Sequence, residues 1–393
     1  MFEKYYSERI KSTPSSFVRE ILKVTQNSKI ISFAGGLPNP ISFPQEELKI
    51  SMNRIADTFG AKIYQYSTTL GLESLRQYIV DRYKSIWGMN ITINNVIITT
   101  GSQQALDLLG KIFINEGDNV MIELPSYLGL LQVFSMYKAN FVQTKLNDDG
   151  LDIEELKHTL KEYKPKAAYL IPNFQNPTGL TYTRENRENV FECIKDEDII
   201  LIQDDPYGEL RFEAGERIPY IGLNQSEKNI YLGSFSKIVT PGMRLGYIIA
   251  NKEIIKMLET AKQASDLHSN IFAQYLIADY LQNNDLDKHI EKIIKLYKTQ
   301  ANTMVNAMEK YFPKEVKYTR PKGGMFSWVT LKEGISVMEL FDKAINRNVA
   351  FVPGHPFYVN PENIKTLRLN YTNADSIAIE TGIKALSEAM NEF

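Results

Sequence analysis

Short apolar runs alternate with amphipathic stretches over residues 96–250. The first run, Val96–Thr100, has the β-branched composition of a buried strand, and the stretch after it has apolar residues at helical spacing: Ala105, Leu106, Leu109, Ile112 and Phe113. Six further runs predict strands that begin near Asn119, Phe141, Ala167, Ile199, Asn229 and Leu245. Because strands that alternate with helices pair in parallel, we expect a large α/β domain with a mostly parallel seven-stranded sheet covered by helices.

The pattern changes towards the end of the chain. Residues 252–311 predict long helices, and beyond them strands and helices mix without regular alternation, which indicates a smaller α+β domain. The predicted division assigns residues 1–50 to an N-terminal helix, expected over 15–26, and a segment that joins the small domain. Residues 51–290 then form the large domain, and residues 291–393 form the small C-terminal domain.

Composition and charge exclude several classes of protein. The net charge is 45 − 47 = −2 with no basic run, which argues against nucleic acid as a partner. No apolar stretch approaches the roughly 18 residues of a membrane span. The single cysteine and four scattered histidines predict neither a disulfide framework nor a metal site. The N-terminus does not resemble a secretory signal, so we expect a soluble cytoplasmic enzyme.

Chemically useful residues follow the predicted strands. They are Tyr127, Asn176, Asp204, Tyr207, Ser234 and Lys237. Because ligands of parallel sheets bind beyond the carboxyl ends of the strands, these residues are expected to meet in one crevice although they span more than a hundred positions. Gly101 also ends a predicted strand, and the helix after it starts with Ser102 and Gln103. Backbone N–H groups at a helix N-terminus form an anion site.

The stretch from Tyr231 to Gly246 predicts a cofactor site. Its one lysine, Lys237, lies among glycines and a proline, where a turn rather than a helix is expected. Such a lysine suits Schiff-base chemistry. The hydroxyls of Ser234 and Ser236 and the guanidinium of Arg244 can surround a phosphate. A Schiff-base lysine beside a phosphate site indicates pyridoxal 5'-phosphate.

The other needs of that cofactor also have candidates. A carboxylate must meet the pyridine nitrogen, and either Asp204 or Asp205 stands at the end of a predicted strand. Asn176 and Tyr207 can donate hydrogen bonds to the ring oxygen, and Tyr127 can stack on the ring. The residues alone do not choose between the two aspartates.

With these motifs the chain resembles the class I aminotransferases of pyridoxal-phosphate fold type I, whose fold is that of aspartate aminotransferase. The resemblance covers nearly the whole chain and rests on eight motifs: Gly101-Ser-Gln-Gln, Pro125-Ser-Tyr, Asn176-Pro-Thr-Gly, Asp204-Asp-Pro-Tyr, Gly233-Ser-Phe-Ser-Lys-Ile, Pro241-Gly-Met-Arg-Leu-Gly, Pro321-Lys-Gly-Gly-Met-Phe and Arg368-Leu. Within the class it looks most like the 2-aminoadipate and kynurenine aminotransferases, through Phe17-Val-Arg-Glu-Ile-Leu-Lys and Ile31-Ser-Phe-Ala-Gly-Gly-Leu-Pro.

The resemblance implies roles for the cofactor-binding residues. Lys237 forms the internal aldimine, and Asp204 rather than Asp205 meets the pyridine nitrogen. The phosphate is bound by Ser102, Gln103, Ser234 and Arg244, joined by Tyr66 from the other subunit of a homodimer with its active site at the interface. The peptide bonds Leu124–Pro125 and Asn176–Pro177 are implied to be cis.

The resemblance also implies how the substrate is bound. Arg368 holds the α-carboxylate in a bidentate pair, and Gly36 and Asn176 contribute to the same substrate site. Arg19, on the N-terminal helix, matches an arginine that can meet an acidic side chain. Without the resemblance, the local sequence predicts that Arg19 is solvated and that Arg368 forms a surface ion pair.

The predicted function is amino-group transfer from an L-amino acid, such as 2-aminoadipate or an aromatic one, to a 2-oxo acid such as 2-oxoglutarate, in a ping-pong cycle. Freed Lys237 then moves the α-proton as a general base and acid. One alternative is a β-lyase acting on cysteine conjugates, because it would use the same cofactor residues. A cofactor-sensing regulator is a remote alternative, since the aminotransferase pattern begins by residue 15 and leaves no space for a DNA-binding module. A nucleotide-binding protein is disfavoured because the chain has no Gly-x-Gly-x-x-Gly.

Overall fold

The computed structural model describes residues 2–11, 13–14, 21, 29–213 and 217–393. Apart from Ile21, the helix predicted over 15–26 lies outside these residues. The helices of the described residues are α1 (Glu8–Lys11), α2 (Gln45–Phe59), α3 (Glu73–Trp87), α4 (Ser102–Phe113), α5 (Leu128–Ser135), α6 (Ile153–Tyr163), α7 (Arg184–Ile194), α8 (Lys252–Gln263), α9 (Ile271–Asn283), α10 (Leu286–Tyr311), α11 (Val337–Asn346) and α12 (Ser376–Met390).

Fourteen strands accompany these helices in the described residues. They are β1 (Ile31–Ser32), β2 (Val96–Thr99), β3 (Asn119–Leu124), β4 (Asn140–Asn147), β5 (Gly150–Leu151), β6 (Ala167–Leu170), β7 (Ile200–Asp204), β8 (Asn229–Ser234), β9 (Gly246–Ile249), β10 (Lys317–Tyr318), β11 (Phe326–Thr330), β12 (Val349–Ala350), β13 (Val352–Pro353) and β14 (Thr366–Asn370).

The large sheet has the strand order β2-β9-β8-β7-β6-β3-β4-β5. The pairs from β8 through β4 are parallel, and β9 runs antiparallel to both of its neighbours. The sequence predicted seven strands, whereas the sheet has an eighth, β5, which folds back antiparallel on the end of β4. Two residues are too few for a recognisable period, which explains why the pattern missed this strand.

Helices cover both faces of the large sheet. Adjacent side chains of a strand point in opposite directions, so they are buried in different clusters. On β7, Ile202 packs in a cluster with apolar residues of α4, α5 and α8, whereas its neighbour Leu201 packs with residues of α6 and α7. This double cover explains the continuous apolar composition of these strands.

The order of the strands reverses between β3 and β6. From β3 the chain adds β4 on one side, and it then returns to add β6, β7 and β8 on the other side. Open α/β sheets bind ligands in the crevice that such a reversal leaves at the carboxyl ends of the strands. The segments directly after β3 and β6 therefore border the expected ligand crevice.

A second, antiparallel sheet has the order β10-β11-β14-β13 and packs with α10, α11 and α12. Apart from it, β1 pairs in parallel with β12, so residues 31–32 lie beside residues 349–350. This pairing carries the loop after β1 to the end of β14, where Asn370 donates its backbone N–H to Phe33 O. In the described part of the chain no helix combines the length and the apolar character needed to cross a membrane.

Candidate active site

A cleft of about 480 Å³ lies beyond the carboxyl ends of the parallel strands. Its lining includes most of the residues that the sequence predicted for the site: Gly36, Ser102, Gln103, Tyr127, Asn176, Asp204, Tyr207, Ser234, Ser236, Lys237, Arg244 and Arg368. The tips of β3, β6, β7 and β8 contribute several of them, because parallel strands end at the same edge of the sheet. The expected convergence of distant loops is therefore observed.

Lys237 lies in the loop that joins β8 to the antiparallel β9. Its Nζ donates to Gly36 O at 2.8 Å, which ties this loop to the segment after β1. Burial, together with the nearby charges of Arg368 and Arg244, lowers the pKa of Lys237 to about 8. At pH 7 a lysine with such a pKa is uncharged in about a tenth of the molecules, far more than a lysine with the ordinary pKa. Nucleophilic and general-base chemistry both require this uncharged amine.

Asp204, the last residue of β7, is 2% exposed and lines the cleft. Its Oδ2 accepts from the Tyr169 hydroxyl at 2.7 Å, and Oδ1 has no hydrogen-bond partner among the described residues. Burial raises the pKa of Asp204 to about 7, although the Tyr169 hydrogen bond opposes the shift. A buried carboxylate oxygen without a donor is costly, so this atom suits a cationic or N–H group of a ligand.

The neighbouring Asp205 is occupied within the protein. Its Oδ1 accepts from Gly208 N at 2.8 Å, and its Oδ2 accepts from the Tyr220 hydroxyl at 3.0 Å. Successive residues of an extended chain point in opposite directions, so the two carboxylates face different surroundings. The geometry supports the assignment of Asp204, rather than Asp205, to the cofactor.

One end of the cleft is suited to an anion. Ser102 is the first residue of α4, where backbone N–H groups are free to bind a ligand. Gly101 before it has φ +76°, and a Cβ there would lie 2.5 Å from Arg244 Nη2, so only glycine allows the guanidinium to come so close. Ser234 Oγ accepts from Ser236 N at 3.1 Å and adds hydroxyls to the same cleft.

The other side of the cleft is organised around Arg368, which is 3% exposed. Its Nη1 donates to Asn176 Oδ1 and its Nη2 to Ala34 O, both at 2.8 Å, and its guanidinium lies 4.2 Å from the centre of the Phe326 ring. Nε has no partner among the described residues. Burial lowers the pKa of Arg368 to about 10. A buried cation whose recorded partners are neutral is suited to an anionic ligand.

Two aromatic hydroxyls complete this side. Asn176 Nδ2 donates to the Tyr207 hydroxyl at 3.4 Å, and the Tyr207 ring meets Phe326 edge-on at 5.7 Å between centroids. Burial and the charge of Asp204 raise the pKa of Tyr127 to about 12, so its hydroxyl stays protonated near neutrality.

Both implied cis bonds, Leu124–Pro125 and Asn176–Pro177, are present.

Two predicted residues are not among those that line the cleft in the described part of the chain: one is exposed, and the other is not described. Tyr66 is 79% exposed, and its ring meets His268 edge-on at 5.8 Å. Since its predicted role is in the site of another subunit, a single chain does not test it. Arg19 lies outside the described residues.

Three residues near the cleft were given no role on the basis of the sequence. Tyr169 and Glu123 lie inside predicted strands, where an isolated polar residue in an apolar run is the only signal. Phe326, in the Gly-Gly-Met-Phe motif, was quoted for the resemblance but given no role. The contacts of Tyr169 with Asp204 and of Phe326 with Arg368 depend on the pairing of strands and on the packing of distant segments, which no local pattern encodes.

Comparison with known proteins identifies the class. Residues 45–386 match the family described as aminotransferase class I and II. The chain belongs to this family: it is a pyridoxal-phosphate-dependent enzyme that transfers amino groups between amino acids and 2-oxo acids.

Individual relatives refine this placement. The chain is 40% identical over 396 residues to aromatic-amino-acid aminotransferase 1 of Thermococcus litoralis, covering 100% of this chain and 95% of the relative. It is 40% identical over 380 residues to the 2-aminoadipate transaminase of Thermus thermophilus, covering 96% and 94%. The solved kynurenine aminotransferase of Pyrococcus horikoshii has a TM-score of 0.95 at 40% identity over 99% of this chain and 98% of that one. The predicted fold class, family and subgroup are thereby confirmed.

Proposed function

We propose that this aminotransferase accepts L-amino acids with aromatic or 2-aminoadipate side chains and delivers the amino group to 2-oxoglutarate. The observation that carries the general class of substrate, amino acids and 2-oxo acids, is Arg368, and the preferred side chains are proposed from the relatives named above. Its guanidinium is buried, its recorded partners are an amide oxygen and a carbonyl oxygen, and Nε remains open to a ligand. An α-carboxylate, which every amino acid and 2-oxo acid carries, supplies the missing charge in a bidentate pair.

The donor set of the cleft fits pyridoxal phosphate. Asp204 Oδ1, the buried oxygen without a partner, would hold the ring nitrogen. Asn176 and Tyr207 would donate to the ring oxygen, and Tyr127 would cover a face of the ring. The phosphate would be bound by Ser102, Gln103, Ser234, Ser236 and Arg244. When bound, the cofactor withdraws electrons from the α-carbon of the amino acid and so weakens its C–H bond.

Lys237 carries out the proton transfers in this proposal. Its Nζ would hold the cofactor aldehyde when no substrate is bound. With a pKa lowered to about 8, the amine would accept the α-proton of the substrate and give it back, as a general base and then a general acid. Its neighbours Arg368 and Arg244 favour the uncharged amine, because like charges disfavour the ammonium form.

The assembly is also part of the proposal. A second copy of the chain would contribute Tyr66 to the phosphate end of the cleft, and each cleft would then lie at a subunit interface. Exposed aromatic side chains of this segment support it: Tyr64 and Tyr66 are 75% and 79% exposed. Sedimentation of wild type should give a dimer, and Tyr66→Phe should weaken cofactor binding. A monomer with full activity would contradict this assembly.

The cytoplasmic location and the domain limits at residues 50 and 290 stay predictions.

A panel of amino donors tests the substrate proposal. Purified enzyme is assayed with phenylalanine, tyrosine, kynurenine, 2-aminoadipate, aspartate and leucine, with 2-oxoglutarate as the acceptor. We expect aromatic donors and 2-aminoadipate to give higher kcat/KM than aspartate. A preference for aspartate would overturn the proposal, and so would formation of pyruvate and ammonia from a cysteine conjugate without an acceptor, which a lyase produces.

Arg19 needs its own variant in the same panel. If Arg19 meets the side-chain carboxylate, Arg19→Ala should lower kcat/KM for 2-aminoadipate by about tenfold and leave phenylalanine within about twofold. Retention of the full preference for 2-aminoadipate over leucine would exclude this role.

A further inference from the structure

A buried carboxylate lies beneath the cleft without lining it. Glu123, in β3, is 0% exposed and borders the reversal in strand order between β3 and β6. Its Oε1 accepts from Ile171 N at 2.9 Å and from the Tyr182 hydroxyl at 2.6 Å, and its Oε2 accepts from Gln175 Nε2 at 2.8 Å. Such a carboxylate is costly to bury, and its three donors all come from β6 or the segment after it.

Glu123 is one of the groups that fix the orientation of the Gln175 amide. Gln175 Nε2 donates to Glu123 Oε2 and to Pro125 O at 2.9 Å. Gln175 Oε1 accepts from the backbone N–H and the hydroxyl of Thr178 at 2.9 and 2.7 Å. The opposite amide orientation would place an oxygen against Glu123 and Pro125 O, so only one orientation satisfies the turn from Gln175 to Thr178.

Asn176 lies inside this turn and faces the cleft. Its Oδ1 accepts from Arg368 Nη1, and its Nδ2 donates to Tyr207. Arg368 has one other hydrogen-bond partner in the described residues, Ala34 O. A displacement of the Asn176 side chain would therefore leave the guanidinium with a single hydrogen bond and its ring contacts, and a bidentate pair with a carboxylate requires a fixed plane.

We propose that Glu123 is a positioning residue for carboxylate recognition: through Gln175 it holds Asn176, and through Asn176 it orients Arg368. This inference rests on the proposed function, in which Arg368 binds the substrate carboxylate. Glu123 touches neither substrate nor cofactor in this assignment. Its removal should thus impair the binding of carboxylates more than the binding of the cofactor.

The test exchanges donor and acceptor between Glu123 and Gln175. In Glu123→Gln a second amide group faces the Gln175 amide, and in Gln175→Glu two carboxylates face each other, so each single variant loses the bond. In the double variant Glu123→Gln/Gln175→Glu the bond between positions 123 and 175 re-forms in the opposite direction and position 175 still accepts from Thr178, whereas the bond to Pro125 O is not restored. Glu155→Gln is the matched control, since Glu155 accepts from Lys145 N at an exposed site.

Two ligands distinguish an effect on carboxylate binding from an effect on cofactor binding. Calorimetry on cofactor-loaded protein at about pH 8.5 gives the Kd of 3-phenylpropanoate, which has the carboxylate of phenylalanine but no amine. A separate titration of cofactor-free protein gives the Kd of pyridoxal phosphate. Each single variant should raise the Kd of 3-phenylpropanoate and the KM of phenylalanine about tenfold, with kcat and the cofactor Kd within about threefold. The double variant should bind 3-phenylpropanoate more tightly than Gln175→Glu but less tightly than wild type, because the bond to Pro125 O stays lost.

Three results would overturn the proposal. They are an unchanged Kd for 3-phenylpropanoate in both single variants, an equal loss of cofactor affinity, or a double variant no better than Gln175→Glu. If the single variants do not fold, Thr178→Ala removes one donor to Gln175 and should raise the same Kd about threefold, and an unchanged value would overturn the proposal instead. Failure of the proposed function would look different, because wild type itself would then bind no 3-phenylpropanoate.

Discussion

The two sides of the cleft are built in different ways. The cofactor side consists of short polar tips that directly follow β7 and β8 and of the N-terminus of α4. The carboxylate side joins segments far apart in the chain: Arg368 contacts Asn176 across 192 positions and Ala34 across 334. The first depends on where strands end, whereas the second depends on how β1, β12 and β14 lie against the large sheet. Local motifs therefore describe the cofactor side well and the carboxylate side poorly.

The two sides also differ in their electrostatics. On the cofactor side the buried carboxylate of Asp204 has one hydroxyl donor and one open oxygen, and burial raises its pKa to about 7. On the carboxylate side the buried guanidinium of Arg368 has neutral partners, and burial lowers its pKa to about 10. Both are charges taken out of water without a counter-ion among their recorded partners, so each side is completed by a ligand of opposite charge.

The largest expected effect comes from the cofactor side. Lys237→Ala removes the amine that bonds the aldehyde and moves the α-proton, so kcat should fall at least about 10³-fold. Steady-state assays and the visible absorption of the protein with added cofactor measure it. Lys166→Ala is the control, since Lys166 pairs with Asp118 at 2.8 Å on the surface. A Lys237→Ala enzyme with turnover near that of wild type would remove the basis of the mechanism.

The carboxylate side should respond less strongly but more selectively. Arg368→Lys replaces a planar fork by a point charge, so we expect kcat/KM for all donors to fall about 10²-fold, mostly through KM. The Kd of pyridoxal phosphate should stay within about threefold, which a titration of the cofactor-free protein measures. A change in cofactor affinity as large as that in KM would show that the two sides are not separate.

Tyr169→Phe changes the cofactor side without removing a ligand group. The Tyr169 hydroxyl lowers the pKa of Asp204, so its loss should raise that pKa further. Because Asp204 would meet the ring nitrogen as a carboxylate, the pH below which cofactor-free protein loses affinity for pyridoxal phosphate should move upward by about one pH unit, which titrations at several pH values measure. At about pH 9 the cofactor Kd of the variant should lie within about threefold of that of wild type. An unmoved acidic limit would mean that the hydroxyl does not tune Asp204.

The smallest effect concerns the stability of the cofactor-free protein. The folded pKa of Asp204 lies above its ordinary value of 3.8, so the folded state binds more protons than the unfolded state between these pKa values. The contribution of this group is therefore present at low pH and is lost as pH rises towards about 7. The difference in the free energy of unfolding between Asp204→Asn and wild type should therefore change in favour of the variant, by about 2 kcal/mol, when the pH is raised from 5 to 8. Urea unfolding at both pH values measures it, and an equal difference at both would contradict the pKa shift.

Two adjacent pairs of features show the limits of local reasoning. The residues alone do not choose between Asp204 and Asp205, and the choice of Asp204 came from the resemblance to the family. The structure adds the physical reason, because Gly208 and Tyr220 occupy both oxygens of Asp205, whereas Tyr169 leaves Oδ1 of Asp204 open. Similarly, β5 is a two-residue strand that exists only because β4 lies beside it. In both cases the deciding partners are distant or too short to leave a period.

The sequence by itself determined the class of fold, the family, the cofactor and most of the side chains of the cleft, because strand ends and glycine turns are local features with a strong pattern. Only the tertiary structure decided what occupies Asp205 and leaves Asp204 open, what surrounds Arg368, and that Glu123 and Gln175 lie beneath Asn176. These features arise where separate strands meet, and the hydrogen bonds of a buried polar group depend on which neighbours enclose it.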